Sequence, residues 1–485
     1  TEPDSLAGVP AVGSPVAGMR EIDVVILGDD GRVLVRGTIS TLGGALVRWE
    51  LAEYRDLGPG CADAEAVDLV SSPCFGAVNA AGEWVRFSCD LPGDEVVVRS
   101  DSVEIRLRDD SGAERTYVFH AGSYEFRLRG THGEWTALPA GVLPVTEAGV
   151  DESRYFSAVW RAEKNKRQDG RKIEEQESVG RVLWIGSRSK YFCVLIGSSD
   201  LERADGFVQP GGETGSPGAF LRSADVRVFA GPVEYDRLRA FGQKADELVD
   251  FGWPIIRWIG MAIFWFSAKV LGFIGNWGLR IVVVSVVLKV VMLPLTQKSF
   301  KSIRRMQLLQ PRLAELQKKH KSDPVKQREA LAKLYREEKV NPMGGCLPLL
   351  LQMPVFFALY RVLASGVELR GAPFVLWISD LSLPEVLISF GGNVLGLSGI
   401  GLLPVLMGLA MFFQQKMSAT DAKQKSMMYL MPIFMTWLFM RFPAGLTLYW
   451  FVNNVLTIIQ QELIKLSEAR SAEGAEPGPA SSSSG

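Results

Sequence analysis

Apolar and polar residues alternate along most of the first half of the chain. The run EIDVVILGDDGRVLVRGTIS contains two such stretches separated by DDG, and VEIRLRDDSGAERTYVFH contains two separated by DDSG. Short alternating runs interrupted by Gly and Asp are typical of antiparallel strands joined by turns. We therefore predict that residues 21–245 form an all-β domain of stacked sheets, a large sandwich, and that residues 1–20 form a flexible tail.

The pattern changes near residue 251. The sequence GWPIIRWIGMAIFWFSAKVLGFIG combines Trp and Phe with Arg257 and Lys269. Aromatic and cationic residues together favour the interface between a bilayer and water. Residues 246–275 are predicted to form an amphipathic helix in that interface, with a membrane-spanning helix as the alternative.

Five apolar runs follow, and the first is about 20 residues long, enough to cross the hydrocarbon core of a bilayer. They predict an α-helical membrane domain of five transmembrane helices within residues 276–466, followed by a flexible C-terminal tail at 467–485. The runs lie at residues 277–296, 344–367, 401–416, 427–442 and 446–464.

Residues 298–341, between the first two runs, predict a helical hairpin. Its first helix has an apolar face built from Ile303, Met306, Leu309, Leu313 and Leu316. Its second helix is expected to begin with Asp323 as the N-cap and Pro324 at the first helical position. The basic surface of this hairpin could meet anionic lipid or ribosomal RNA, and the alternative is a solvated loop that only sets topology.

Charge divides the chain into two halves, although the overall net charge is −1. Residues 1–250 carry 28 Lys and Arg against 41 Asp and Glu, whereas residues 251–485 carry 25 against 13. The predicted hairpin alone carries 13 against 5. Because basic residues stay on the cytoplasmic side of a membrane, we expect the hairpin and the C-terminus in the cytoplasm and the acidic domain outside.

Export of the acidic domain requires a targeting segment, yet residues 1–20 contain no apolar run. We expect that an N-terminal signal-anchor helix is absent from this chain, and the alternative is a cleaved signal peptide.

The acidic half offers few residues for chemistry. Cys61, Cys74, Cys89 and Cys193 allow one or two disulfides in an oxidising compartment or buried thiols, and Cys346 has no obvious partner. His120 and His132 are isolated, so they are interpreted as surface or packing residues. The charged stretch AEKNKRQDGRKIEEQES, residues 162–178, is interpreted as a solvated loop. Neither a metal site nor a nucleotide-binding loop is predicted.

Lys289 stands inside the first apolar run, LRIVVVSVVLKVVMLPLT. A charge at the centre of a spanning helix costs about 2.5–3.5 kcal/mol on insertion scales, and less if the side chain snorkels to the surface. The alternative that we favour is a water-filled recess among the helices. Polar residues available to line it are Ser285, Gln352, Gln414, Gln415, Asn453, Asn454 and Thr457; several of them could equally bond helix to helix.

Long segments of the chain resemble one known family. NWGLRIVVVSVVLKVVMLPLTQKSFKSIRRMQLLQP, LYREEKVNPMGGCLPLLLQMPVFFALYRVL, VELRGAPFVLWISDLS and FPAGLTLYWFVNNVLTIIQQ resemble the YidC/Oxa1/Alb3 family of membrane protein insertases. VGRVLWIGSRSKYFCVLIG and VRVFAGPVEYDRLRAFG resemble the large periplasmic domain of its Gram-negative members, a β-supersandwich. The resemblance implies a multi-pass protein of the bacterial inner membrane.

The resemblance also implies a site. Family members enclose a hydrophilic groove that opens to the cytoplasm and contains one basic residue, whose position Lys289 occupies. Many relatives have Arg there, so the charge is kept but the bidentate fork of Arg is lost. Residues expected to contact substrate in the groove, in addition to Lys289, are Ser285, Gln352, Tyr449, Trp450 and Asn454.

The implied partners are nascent membrane proteins, the Sec translocon, membrane lipids, the ribosome and the signal-recognition-particle receptor. Acidic or polar residues flanking an incoming apolar segment would be held near Lys289 while that segment moves into the bilayer. No enzyme activity, cofactor or nucleotide is expected. The alternatives are a secondary transporter that uses an intramembrane Lys and a membrane-anchored carbohydrate-active enzyme.

Overall fold

The computed structural model describes most of the chain: residues 19–55, 65–70, 73–77, 84–130, 136–138, 142–143, 154–211, 215–321, 323–338, 347–394, 397–418 and 425–473. The chain divides into two compact units, Thr1–Val249 and Asp250–Gly485. The first unit is rich in strands and the second in helices, which confirms the predicted fold class of an α-helical membrane domain and an all-β sandwich domain.

The described residues of the first unit form three sheets. The strands are β1 (Glu21–Leu27), β2 (Val33–Ser40), β3 (Leu46–Arg55), β4 (Ala66–Asp68), β5 (Phe87–Cys89), β6 (Glu95–Val98), β7 (Ser102–Asp109), β8 (Glu114–His120), β9 (Glu125–Arg129), β10 (Thr136–Leu138), β11 (Ser157–Arg161), β12 (Asn165–Asp169), β13 (Glu177–Val182), β14 (Trp184–Arg188), β15 (Phe192–Ser198), β16 (Ala204–Gln209), β17 (Gly218–Leu221) and β18 (Val226–Pro232). Their orders are β4-β3-β2-β1-β6, β10-β17-β16-β13 and β12-β11-β14-β15-β18-β9-β8-β7-β5. A short helix, α1 (Tyr235–Phe241), follows β18.

Trp49 joins the five-stranded sheet to the nine-stranded sheet. It lies on β3, is fully buried, and donates its indole N–H to the carbonyl of Ala230 on β18 at 2.8 Å. Its ring stacks on Phe119 and packs at 5.0 Å from the Phe126 ring centroid. A buried Trp whose polar atom is satisfied adds a large apolar contact without an unpaired donor, so it stabilises the sandwich core.

The charged stretch at residues 162–178 is not a loop, as the sequence suggested. Residues 165–169 form β12, the outermost strand of the nine-stranded sheet, and a 3-10 turn follows at Gly170–Lys172. Lys166 and Arg167 on this strand are exposed. Charged side chains on an edge strand discourage pairing with another chain. A strand at the edge of a sheet can therefore carry as many charged residues as this one does.

Three cysteines of this unit are free thiols: Cys74 and Cys193, which are buried, and Cys89, which is partly exposed. The alternative of buried thiols therefore holds for the first two. Cys61, His132 and Cys346 lie outside the described residues.

The second unit begins with an aromatic helix. This helix, α2 (Pro254–Trp265), continues into a π-helical turn at Phe266–Val270. Trp253, Ile255 and Trp258 are each more than 70% exposed. Exposed aromatic residues are what an interfacial helix requires, and one was predicted at residues 246–275. Its location in a membrane interface stays a prediction.

The remaining helices fall where the apolar runs and the hairpin were predicted. They are α3 (Trp277–Leu308), α4 (Gln310–Lys319), α5 (Pro324–Glu337), α6 (Leu347–Ser365), α7 (Leu402–Ser418), α8 (Lys425–Phe439) and α9 (Ala444–Glu473). Among the described residues, α3 is the helix that is long and apolar enough by length and composition to cross a membrane, and α6, α7 and α8 contain shorter apolar stretches. The division into five transmembrane spans remains a prediction.

The helical hairpin is shorter at its start than predicted, because α3 continues without a break to Leu308. Leu313 on α4 then packs with Leu331, Leu334 and Tyr335 on α5. The Asp323 carboxylate accepts hydrogen bonds from the backbone N–H groups of residues 325 and 326, so Asp323 is the N-cap of α5, as predicted.

Two strands that the sequence did not suggest lie between α6 and α7. They are β19 (Ile388–Val394) and β20 (Leu397–Ile400), which pair as an antiparallel hairpin. The segment is glycine-rich and has no clear alternation of polar and apolar residues, which explains why pattern analysis missed it.

Candidate functional site

One side of α3 carries buried residues in two stretches, from Gly278 to Ser285 and from Thr296 to Met306. The buried positions recur every three or four residues and include Ile281, Val284, Ser285, Thr296 and Ser299. They are apolar up to Val284 and polar at Ser285, Thr296 and Ser299, and the last buried positions, Phe300, Ile303 and Met306, are apolar again. This stripe therefore brings polar side chains of α3 against the neighbouring helix α9.

Lys289 lies on this stripe and is half-buried. Its ammonium donates a hydrogen bond to the Thr457 hydroxyl on α9 at 2.6 Å. The Thr457 hydroxyl in turn donates to the backbone carbonyl of Asn453 at 2.6 Å. Within the described part of the chain, no carboxylate forms an ion pair with Lys289.

Two further hydrogen bonds join side chains of α9 to its neighbours. Gln460 donates its amide to the Thr296 hydroxyl on α3 at 2.9 Å. Gln352 on α6 donates to the Tyr449 hydroxyl at 2.9 Å. Together with the Lys289 contact, these pairs define a polar seam, the set of side chains at Thr296, Gln352, Lys289, Tyr449, Thr457 and Gln460. Its three members on α9, Tyr449, Thr457 and Gln460, span about three turns of that helix.

Several polar atoms in or beside the seam are buried without a hydrogen-bond partner in the described structure. They are the side-chain nitrogen of Asn454, the side-chain oxygen of Gln460 and the indole nitrogen of Trp450. Native proteins leave few such atoms unsatisfied, so each one needs an explanation. Water or a polar group of an incoming chain could satisfy these atoms.

The predicted site residues are thus only partly brought together. Tyr449 and Gln352 contact each other, and Asn454 lies on α9 between Tyr449 and Thr457. Ser285 is buried, and its hydroxyl donates to the carbonyl of Ile281 in its own helix at 2.7 Å, so it does not face Lys289 with a free donor.

Trp450 belongs to an aromatic cluster. Its ring lies edge-on to Phe356 at 5.1 Å between centroids and packs at 5.5 Å from Phe439. These contacts place Trp450 at the meeting point of α6, α8 and α9. It therefore supports the wall beside the seam through packing.

Sequence reasoning missed Thr296 and Gln460. Both stand in apolar or amphipathic helices where an isolated polar residue is common, and they are 164 positions apart in the chain. A signal was present, since Lys289, Thr296 and Ser299 recur at helical spacing on one side of α3.

A cavity of about 130 Å³ lies at the end of α9 that follows the seam. Its polar lining residues are Arg304, Gln307, Gln461, Glu462 and Lys465, and its apolar lining residues are Phe300, Ile303, Met417 and Ile464. The opposite end of the seam meets a cluster of buried apolar side chains that includes Ile281, Val284, Leu446 and Leu448. Polar side chains of α3 and α9 therefore continue from Lys289 toward the end of the bundle that carries α4 and α5, with Phe300 and Ile303 among them, and apolar packing lies in the other direction.

Known proteins similar to this chain include a family of inner-membrane proteins and several named insertases. The profile of the family described as 60Kd inner membrane protein matches residues 269–470. Membrane protein insertase YidC of Geotalea daltonii is 33% identical over 96% of this chain and 90% of its own length. The protein of the same name from Cupriavidus metallidurans is 43% identical over 88% of this chain and 80% of its own length.

Among solved structures, the active YidC insertase with its first transmembrane domain resolved covers 90% of this chain and 91% of its own, at 21% identity and a TM-score of 0.41. The family model and the named relatives define the class as inner-membrane proteins that act as insertases. The chain belongs to the YidC family of membrane protein insertases.

Proposed function

We propose that this protein inserts membrane proteins into the bacterial inner membrane and assists their folding, using the polar seam as a transient binding site for the incoming chain. The observation that carries the proposal is the Lys289 ammonium, which is held by the neutral Thr457 hydroxyl rather than by a carboxylate. An ammonium paired with a carboxylate would be neutralised. An ammonium held by a hydroxyl still attracts an acidic group that comes near it.

The surroundings of Lys289 support a route from one side of the membrane. The cavity lined by Arg304 and Lys465 lies 15 residues along α3 from Lys289, or about 22 Å at 1.5 Å per residue. The Thr296–Gln460 hydrogen bond lies within this interval, and apolar packing lies beyond Tyr449. A polar flank entering from the α4–α5 end would meet hydrogen-bonding groups up to Lys289 and apolar packing after it.

The same proposal assigns a topology and partners. Helices α3, α6, α7, α8 and α9 cross the membrane, α4 and α5 lie in the cytoplasm, and the sandwich domain lies in the periplasm. The excess of Lys and Arg in residues 298–341 supports this orientation. The basic α4–α5 surface is the part that would meet the ribosome or the signal-recognition-particle receptor, and cooperation with the Sec translocon belongs to the same proposal.

The test is insertion of a small single-spanning substrate in cells depleted of their own insertase. Cells would carry the wild type, Lys289→Arg, Lys289→Ala or Lys289→Glu, each checked for accumulation. We expect Arg to function and Ala to lower insertion of substrates with acidic flanks by roughly threefold to tenfold, which corresponds to about 0.7–1.4 kcal/mol of lost attraction. Glu should lower it further, because it repels the same flank.

The matched control is Lys298→Ala, which removes an exposed lysine from the same helix. It should leave insertion unchanged. If Lys289→Glu inserts acidic-flank substrates as well as the wild type does, the charge of Lys289 has no part in insertion and the proposed role of the seam is wrong.

A further inference from the structure

The β19–β20 hairpin is unusually apolar for an exposed segment. Residues 386–401 contain no Asp, Glu, Lys or Arg. Val386, Leu387, Ile388, Phe390 and Ile400 are between 38% and 60% exposed. Contiguous exposed apolar surface of this kind marks a site that meets lipid or another protein.

The pairing of the two strands gives the hairpin one apolar face. Ile388 lies opposite Ile400, and Phe390 follows Ile388 by two positions, so these three side chains share a face. Ser389 lies opposite Gly399 on the other face. One face is therefore built from Ile388, Phe390 and Ile400, and the other carries the small residues Ser389 and Gly399, with the Val386 side chain against Gly399.

The hairpin is fixed to the helical bundle at its base. The Glu385 carboxylate accepts hydrogen bonds from the backbone N–H groups of Leu402 at 3.0 Å and Leu403 at 2.8 Å, which are the first residues of α7. Leu403 and Met407 of α7 are buried in the helical core. Since a carboxylate at a helix N-terminus is favourable, this contact holds the hairpin at the end of α7.

Other apolar side chains at the same end of the unit are also exposed. The connection between α6 and the hairpin carries Leu376, which is 86% exposed, and Phe273 just before α3 is 84% exposed. Asn276, the N-cap of α3, donates to the carbonyl of Phe374 in that connection at 2.9 Å, which places these segments together. The end of the bundle at which α3 begins thus presents apolar groups on several segments.

We propose that the apolar face of the β19–β20 hairpin lies against the phospholipid interface of the bilayer, at the end of the bundle where α3 begins. The backbone N–H and C=O groups on the outer edges of a two-stranded ribbon lie outside the pairing between its two strands. Such groups cannot enter the hydrocarbon core, but headgroups and water satisfy them in the interface. The hairpin then acts as a shallow anchor that fixes the depth of α7 in the membrane, independently of what Lys289 does.

The experiment replaces single residues of the full-length protein with the photoreactive amino acid p-benzoylphenylalanine. The positions are Phe390 and Ile388 on the apolar face and Ser389 on the opposite face as the matched control. Each variant is reconstituted in vesicles of phosphatidylethanolamine and phosphatidylglycerol, irradiated and examined by mass spectrometry. We expect phospholipid adducts at positions 390 and 388, each at least about fivefold more abundant than at 389, and we expect the same adducts in intact cells.

Two results would overturn the proposal. One is phospholipid adduct formation at 390 and 388 no greater than at 389, with resistance to limited proteolysis showing that both variants are folded. The other is an adduct with a protein at these positions in cells, which would make the face a protein-docking surface. Positions 388 and 390 are both used so that, if one variant does not fold, the other still tests the proposal.

Discussion

At Lys289 the helical core holds a cation with a neutral partner. A buried lysine paired with a carboxylate would form a site whose mutual attraction offsets the cost of desolvation. The hydrogen bond to Thr457 offsets less of that cost but leaves the charge available. We interpret the neutral partner as suited to transient binding, because an acidic group of the incoming chain can approach Lys289 without displacing a carboxylate of the protein.

The thiols of the sandwich domain give a prediction at the level of single residues. Burial raises the pKa of the Cys193 thiol to about 12 and that of Cys74 well above its usual value. Because only the thiolate reacts, both should resist N-ethylmaleimide in the native protein, whereas the partly exposed Cys89 should react within minutes.

The measurement is peptide mass spectrometry after labelling at pH 7.5, with a denatured sample as the control in which all three react. Rapid native labelling of Cys193 at a rate close to that of Cys89 would contradict the burial assigned to it.

The site itself was only partly predictable from single residues. Lys289 stood out because a charge inside an apolar run is costly and therefore rare. Its contact with Thr457 could not be predicted, since the two lie 168 positions apart and only the packing of α3 on α9 brings them together. Ser285 was expected to line the same site as Lys289, which stays a prediction, and its hydroxyl donates to its own helix, as serine in a helix can.

At the level of elements, the contact between α7 and α8 depends on a small residue. A Cβ atom at Gly408 would lie 1.9 Å from the Thr436 hydroxyl oxygen. Replacing Gly by Ala inside an exposed helix usually gains up to about 1 kcal/mol. Here we expect Gly408→Ala to cost about 1–3 kcal/mol instead, because the clash forces side-chain or helix displacement.

The measurement is the thermal unfolding midpoint in detergent. Adding Thr436→Ala to Gly408→Ala should restore most of the loss, and Thr436→Ala alone serves as the control. A Gly408→Ala protein as stable as the wild type would show that α7 and α8 are not in close contact at this position.

The N-cap of α5 gives a pH-dependent prediction. The backbone N–H of Lys326 donates to the Asp323 carboxylate and is the main cause of a lowered pKa for that group. A lowered pKa in the folded state means that the cap stabilises α5 above the pKa of an unfolded aspartate. This stabilisation is lost as the pH falls through the folded value.

Hydrogen exchange of the first turn of α5 measures the effect, after correction for the intrinsic pH dependence of exchange. Protection should fall in acid for the wild type and should be low at all pH values for Asp323→Ala. Asp323→Asn is the matched control, because Asn caps a helix without titrating. Equal acid sensitivity of Asp323→Asn would show that the pH effect has another origin.

Elements with a strong period or a recognisable cap were predictable, and elements defined by their partners were not. The strands around DDG and DDSG and the start of α5 at Pro324 agree with the structure. Strand β12 was missed because its charged residues are typical of a solvated loop. Its strand structure depends on pairing with β11, which the local sequence does not indicate. The β19–β20 hairpin was missed because Gly-rich, unpatterned sequence carries little local signal.

For the whole molecule, the two units differ in the solvent that their surfaces suit. The sandwich domain buries its largest apolar residues, among them Trp49 and Trp184, and the half of the chain that contains it has a net acidic charge. The helical unit leaves Val291, Leu430 and Ile433 each more than 65% exposed. Exposed aliphatic residues along several helices are costly in water and neutral in lipid. The acidic sandwich domain therefore suits water, and the apolar surface of the helical unit suits a bilayer.

The central claim is that Lys289 acts on the incoming chain through its charge, and a charge exchange tests it most directly. Insertion would be measured for a substrate with two acidic residues in its flank and for the same substrate with those residues changed to lysine, each with wild-type protein and with Lys289→Glu. We predict that Lys289→Glu inserts the acidic flank poorly and recovers insertion of the basic flank at least severalfold relative to the wild type. Equal loss for both flanks, or no loss for either, would contradict an electrostatic role for Lys289.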